Sequence, residues 1–386
     1  MDAERQRVPE LDLLRAAIVG GVLLFHAVHV FDPLDFYIKS DAEWEPLVGV
    51  ILFCALWGMP LMFLFAGVSV WHSLGSRTPR VFVRERASRL LVPFAVGTVL
   101  LVPPQVHAQR AMEGVGGSYA DTLREFFSVR PELDFPIPLQ GSGAVGDFEP
   151  AHLWFLAYLF AFSVVLLPVF VRLRRVSLAR WATPWMLVAA GLPIAVLEAA
   201  LGSEDTGGWH RTVYLVVLLY GFLLAGEPAL RRAVARIARP AAFAGLGGFA
   251  ALAAVGLMSE PEALLTEPTP VAIAWRFGKG LVGWLLLLAI VALVGRLRLP
   301  APPHVVAYAR DAALPAYVLH QPIVVVLAWW VVGWDVPAAL QLPALIVLAV
   351  AGTLAAYELL RRLQWKRSSS GGRMSAATPT PSSAVT

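Results

Sequence analysis

Arg15 and His26 stand eleven residues apart in the stretch LDLLRAAIVGGVLLFHAVHVF, whose other residues are almost all apolar. At roughly 100° per residue, that spacing returns to within about 20° of the same helix face, with about 16 Å of axial rise between the two side chains. Ionisable residues within hydrocarbon are candidates for function. A histidine titrates near neutral pH and can take a proton from a hydroxyl, so His26 is the candidate general base. A histidine hydrogen-bonded across helices for packing is the competing reading. His29, three residues on, reads as an orienting or interfacial residue. The H-x-x-H spelling resembles a metal pair, but no carboxylate in the same segment completes it, and no metal is expected.

Other residues of the right type are scattered along the chain. Arg86 and Arg89, in RVFVRERASRLLVPF, are three apart, which on an α-helix sets two guanidiniums on one face where they can grip phosphates. Anchoring of a membrane span by positive charge explains them equally well. His152 opens a span beside Trp154, so an aromatic-belt position competes with a role toward an acceptor. Arg276 and Lys279 lie in the outer part of a later span, where they either snorkel or hold an anionic or glycan acceptor. His320 is followed by Pro322, which frees a backbone carbonyl for Gln321 or a neighbour to satisfy; polar glue and catalysis are both open for it. Glu198, near the end of the fifth span, either orients His26 or sits at the interface. Cys54 is the only cysteine, so the chain has no internal disulfide, and a buried apolar thiol reads as packing.

The elements that must position these residues are membrane helices. With 58% hydrophobic and 15% charged residues over 386 positions, the chain is an all-α polytopic membrane protein rather than a soluble enzyme. About ten apolar runs are long enough to cross a bilayer, near residues 11–31, 47–70, 89–109, 151–171, 181–201, 211–227, 240–258, 271–294, 312–333 and 338–360. The third, with Pro93, Pro103 and Pro104, is the least regular. The membrane domain covers residues 1–365, with a Pro-, Gly- and acid-rich outer loop at about 110–150. The small polar residues of 366–386 cannot bury enough apolar surface to fold and are expected to form a disordered cytoplasmic tail. GSGAVG at Gly141 to Gly146 spells a dinucleotide fingerprint, but with no βαβ context it is read as chance. Basic loops alternate with acidic ones, which places both termini in the cytoplasm by the positive-inside rule; the positive balance reflects loop anchoring, not nucleic-acid binding.

Taken in order, four features resemble the membrane-bound acyltransferase-3 family over about residues 8 to 362. They are the Arg-x10-His of the first span, R-x-x-R ahead of RLLVPF, HLWFLAYL opening the fourth span, and LPAYVLHQPIVVV late in the chain. The similarity is nearest to the glucan-modifying branch. It implies transfer of an acetyl- or succinyl-type group from cytoplasmic acyl-CoA to a hydroxyl of an extracytoplasmic glycan or related envelope acceptor. The setting would be the inner (cytoplasmic) membrane, with acyl-CoA as co-substrate and no permanently bound cofactor. His26 falls on the family's catalytic position, and Arg15, Arg86 and Arg89 fall on positions held to engage the donor. His29, His152, Arg276, Lys279, His320 and Glu198 are then acceptor-side or supporting residues. Direct attack on the thioester is expected, since no Ser-His or Cys-His pair is evident. A transporter or flippase for a glycan or small metabolite is the alternative reading, because such proteins also keep charges within the membrane.

Overall fold

The computed structural model describes residues 9–131, 135–141, 148–202, 207–297 and 300–371. The chain runs through α1 (Pro9–His29), α2 (Pro46–Ser76), α3 (Pro79–Arg86), a π-helical turn (Ala87–Leu91), α4 (Val92–Leu100), α5 (Val102–Met112) and α6 (Tyr119–Phe126). A hairpin, β1 (Val129–Pro131) and β2 (Leu139–Gly141), and a 3-10 turn (Ala151–Leu153) lead into α7 (Trp154–Val165) and α8 (Leu167–Leu173). Beyond them lie α9 (Pro184–Ala189), α10 (Gly191–Leu201), α11 (Arg211–Gly226), α12 (Pro228–Gly256) and α13 (Pro261–Thr266). The last three helices are α14 (Pro270–Val294), α15 (Pro303–Val331) and α16 (Ala338–Gly371).

Local chemistry sets many of these boundaries. Pro46, Pro79, Pro184, Pro228, Pro270 and Pro303 each open a helix, where the missing N–H has no helical partner to lose and the fixed φ is already helical. The hydroxyls of Thr78, Thr183 and Thr269 accept the amides three residues on and cap α3, α9 and α14. Pro93 cannot donate to a carbonyl in the preceding turn, and the wide π-turn lies just ahead of it. Leu101 keeps its bond to the Gly97 carbonyl but is the joint between α4 and α5, where Pro103 and Pro104 follow, so the third span is segmented.

Among the described residues, eight helical stretches are long and apolar enough to cross a membrane; α7 and α8, bent by 56° at Leu166, make a ninth if counted as one span. The sixteen residues of α11, about 24 Å of helix, are short for a bilayer. The helix lies deep in the protein: Val213, Tyr214, Val217, Leu218 and Phe222 are all fully buried. Large apolar side chains such as Phe243, Val347 and Leu100 face outward along the spans, as suits a chain whose solvent is lipid.

α2 and α11 cross backbone to backbone, and two glycines make this possible. A Cβ on Gly67 would lie 2.1 Å from the Leu218 carbonyl oxygen, and one on Gly221 would lie 1.9 Å from that of Leu64. Both obstacles are backbone, so neither can be relieved by a rotamer change. Gly67→Ala and Gly221→Ala are therefore expected to destabilise the bundle by at least the ~1–3 kcal/mol of core overpacking. Gly58→Ala, on the same helix with nothing within 4 Å of the added carbon, should be neutral. The recovery of monodisperse protein after detergent extraction, and its thermal inactivation, measure the difference.

The segment expected as a long loop carries structure of its own. Ser118 and Asp121 form a capping box at the start of α6, Phe126 is fully buried, and Arg110 of α5 pairs with Glu125. β1 and β2 pair antiparallel, with Val129 opposite Gly141 and Pro131 opposite Leu139. Most of the glycine-rich GSGAVG and all of residues 372–386 lie outside the described residues.

Candidate active site

Three histidines from distant parts of the sequence meet where the end of α1 and the 3-10 turn before α7 pack against the middle of α15. The His26 ring lies 5.3 Å, centroid to centroid, from that of His320, which lies 5.0 Å from that of His152. His152 and His320 are buried and His26 is half-buried. His26 Nδ1, His152 Nδ1 and His320 Nε2 are buried without a hydrogen-bond partner among the described residues. Buried polar atoms are rarely left so, and their clustering marks a place for polar chemistry. Among the described residues, no group of three or more His, Cys, Asp or Glu is arranged to hold a metal ion.

The hydrogen bonds these rings do make fix their tautomers. His320 Nδ1 is 2.6 Å from the Tyr317 carbonyl, and His152 Nε2 is 3.1 Å from the Val318 carbonyl. A carbonyl only accepts, so those nitrogens carry the protons. In the neutral rings the basic lone pairs are then His320 Nε2 and His152 Nδ1, the two atoms without partners. The His152 contact has its origin in the sequence. Pro322 has no N–H for the Val318 carbonyl four residues earlier, and the freed oxygen accepts from His152 on a different helix. The Tyr317 hydroxyl donates to the His152 carbonyl, tying the two elements together again. Nearby, Gln321 donates to Gln105 of α5 at 3.1 Å, and Gln105 to the Leu101 carbonyl at 2.8 Å, so the broken third span is stitched to α15 at this level.

His29 has a different environment from its neighbour. Its Nδ1 lies 2.7 Å from Asp32, whose other oxygen accepts from the Leu34 amide at 2.7 Å and from Lys39 at 3.2 Å. Burial pushes the Asp32 carboxyl upward, but the His29 bond and charge, the Leu34 amide and Lys39 together hold it below the usual carboxylate range. The carboxylate therefore orients the imidazole and leaves Nε2 as its free face. Phe36 stacks against both His26 and His29, at 5.6 and 5.0 Å. His29 is thus an oriented histidine, with a partner, Asp32, that the sequence presents only as one of several acids after the first span.

The arginines gather at the other end of the same helices. Arg15 donates to Ser69 of α2 at 2.6 Å and to Asp12 at 2.8 Å. Arg86 donates to Ser163 of α7 at 2.7 Å and lies 4.9 Å from the Phe82 ring centroid; Ser163 in turn donates to the Leu159 carbonyl. Eleven residues separate Arg15 from His26 on α1, and eleven separate Ser163 from His152 through the 3-10 turn and α7. Two independent helices therefore place guanidiniums about 16 Å of helical rise from the histidines. The positive charges of Arg15 and Arg89 both reach Arg86. The π-turn alters the expected pairing of Arg86 with Arg89. It begins directly after Arg86, and its wider winding breaks the α-helical i,i+3 alignment. Arg86 turns in to Ser163 while Arg89 remains exposed.

The remaining candidates form a separate group. Lys279 donates to Glu198 at 2.7 Å and to the Gly208 carbonyl at 2.5 Å, and lies 4.6 Å from the Trp209 ring centroid. Glu198 also accepts the His210 amide at 2.8 Å. Glu198 thus holds α10 to α14 through Lys279 and to the segment before α11 through the His210 amide. Arg276 is buried and donates to the Leu264 carbonyl at 3.1 Å. Cys54 is a free, half-buried thiol.

A multi-span bundle with an imidazole cluster at one end of its interior and guanidiniums at the other defines a polytopic membrane protein with a titratable site within its spans. The family model for the acyltransferase domain matches residues 8–358, and the chain belongs to the acyltransferase-3 family of membrane acyltransferases. No curated protein and no solved structure matches the chain.

Proposed function

We propose that this acyltransferase uses cytoplasmic acyl-CoA as donor and a hydroxyl of an extracytoplasmic glycan or related envelope acceptor as nucleophile, in the inner membrane with both termini cytoplasmic. The observation that carries this reading is the two-ended site: Arg15, Arg86 and Arg89 at one end, and His26, His152 and His320 about 16 Å of helical rise away. Phosphates of CoA cannot enter hydrocarbon and suit the guanidinium end, which the charge bias of the loops assigns to the cytoplasm. The neutral pantetheine arm then carries the thioester toward the histidines.

At that end His26 accepts the proton of the acceptor hydroxyl as its oxygen attacks the thioester carbonyl. Collapse of the tetrahedral adduct breaks the C–S bond, and the imidazolium returns the proton to the departing thiolate. The products are an ester and free CoA thiol. The unpartnered lone pairs of His320 Nε2 and His152 Nδ1 accept hydroxyl protons, which suits an acceptor with several hydroxyls. Asp32 holds His29 beside this site, with Phe36 packed between the two rings of α1.

Purified protein incubated with acetyl- and succinyl-CoA labelled in the acyl group, together with host envelope glycans, tests the reading. Label should pass to glycan in a base-labile linkage, with one free thiol released per acyl group transferred. Absence of thiol release with every acyl-CoA would remove CoA as the donor. Thiol release without labelled glycan would remove the acceptor assignment.

A further inference from the structure

Away from the histidines, the end of α10, α13 with the turn after it, and the first turns of α14 form an open-sided cavity of about 420 Å³. Val196, Leu201, Thr266, Ile273, Arg276 and Phe277 are among its walls, and no residue of α1, α7 or α15 lines it. The walls are mainly apolar, with the Thr266 hydroxyl bonded to the Glu262 carbonyl, and the Arg276 guanidinium is the charged group among them. Arg276 is only 3% exposed, its Nη1 donates to the Leu264 carbonyl, and its buried Nε has no partner among the described residues.

A buried cation is costly unless it is paired. Lys279, one turn along, shows how this protein pairs one: a carboxylate, a carbonyl and an aromatic face surround it. Arg276 has a single neutral carbonyl. Its unused donors form a planar fork that matches the oxygens of an anion. The other walls specify what the anion is attached to. Val196, Leu201 and Ile273 are 54%, 50% and 40% exposed on the outward faces of membrane helices, so the cavity is continuous with the lipid-facing surface.

From this geometry we infer a second site on the protein, a seat for the phosphate of an anionic membrane lipid, with Arg276 gripping the headgroup and the chains lying along Val196 and Ile273. This site does not rest on the acyl-transfer reading: none of His26, His152, His320, Arg15, Arg86 or Arg89 lines it, and Arg276, which the sequence offered for the acceptor side, is given the lipid phosphate instead.

The test uses the full chain in lipid nanodiscs, either of phosphatidylcholine alone or with phosphatidylglycerol added. Thermal stability and native mass spectrometry of retained lipid are read together. Phosphatidylglycerol should raise the melting temperature and be retained at least tenfold over phosphatidylcholine, in line with loss of a charge-assisted contact being worth about ten- to a hundredfold. Arg276→Gln should abolish both effects and Arg276→Lys should restore part of them. Ile273→Trp, which keeps the guanidinium but fills the cavity, should abolish them too. Full retention of both effects in Arg276→Gln and Ile273→Trp would overturn the site. So would inorganic phosphate giving the same stabilisation in phosphatidylcholine discs, since the ligand would then be a soluble anion. If the variants do not fold, equal retention of the two lipids by the unaltered protein overturns it by itself.

Discussion

His26→Ala is expected to lower acyl transfer by about 10²- to 10⁴-fold, the usual contribution of a positioned general base, while leaving folding and donor affinity in place. The side chain is half-buried and its Nδ1 bonds to nothing among the described residues, so truncation breaks no structural hydrogen bond. What it removes is ring packing against Phe36 and His320. His26→Gln separates the two effects, because glutamine fills most of the space and keeps a polar group but cannot carry the proton. Both variants should be equally inactive and bind a non-hydrolysable acyl-CoA analogue normally. Near-normal turnover in either would move the base role away from His26. His29 would then take it, since Asp32 holds that ring with Nε2 unengaged. In the assignment made here, Asp32→Asn acts only by loosening His29 and Phe36 beside His26, so its effect should be smaller than that of either His26 variant.

The parts of this site that were legible in the sequence are those that lie on one helix. Arg15 and His26 share a face because the spacing and the helical repeat require it, and α1 is an uninterrupted helix from Pro9 to His29. The apolar runs marked the spans for the same reason, although α11, at sixteen residues, is shorter than the other spans. Contacts between helices were not legible. Nothing in HLWFLAYL or YVLHQP says that their histidines meet, and Pro322 announced a freed carbonyl without naming His152 as its donor. The reading of Arg86 and Arg89 as a shared face assumed α-helical winding, which the π-turn at Ala87–Leu91 replaces. Asp32 was hidden by its company, one acid among five in the following loop. Its role emerges only because the chain turns back after His29 and brings Leu34 and Lys39 to the same carboxylate.

The inward turn of Arg86 gives the donor site its own expected result. Arg86→Ala should weaken binding of a non-hydrolysable acyl-CoA by about ten- to a hundredfold, the ~1.5–3 kcal/mol of a charge-assisted hydrogen bond. The loss is expected to be functional rather than structural, because Ser163 keeps its bond to the Leu159 carbonyl when the guanidinium is gone. Arg86→Lys should recover only part of the affinity, since an ammonium keeps the charge but not the fork. Arg89→Ala should cost less, because its exposed side chain meets phosphate in solvent, where a salt contact is worth no more than about 1 kcal/mol. Ser163→Ala, which frees Arg86 from its inner anchor, should weaken the donor by a smaller factor than Arg86→Ala and leave the alanine variant unchanged when the two are combined. Titration of detergent-purified variants separates these outcomes: affinity unchanged in both Arg86→Ala and Arg89→Ala would leave the arginines as membrane anchors, and a Ser163→Ala loss that persists in the Arg86→Ala background would mean that the serine acts on the helix rather than through the guanidinium.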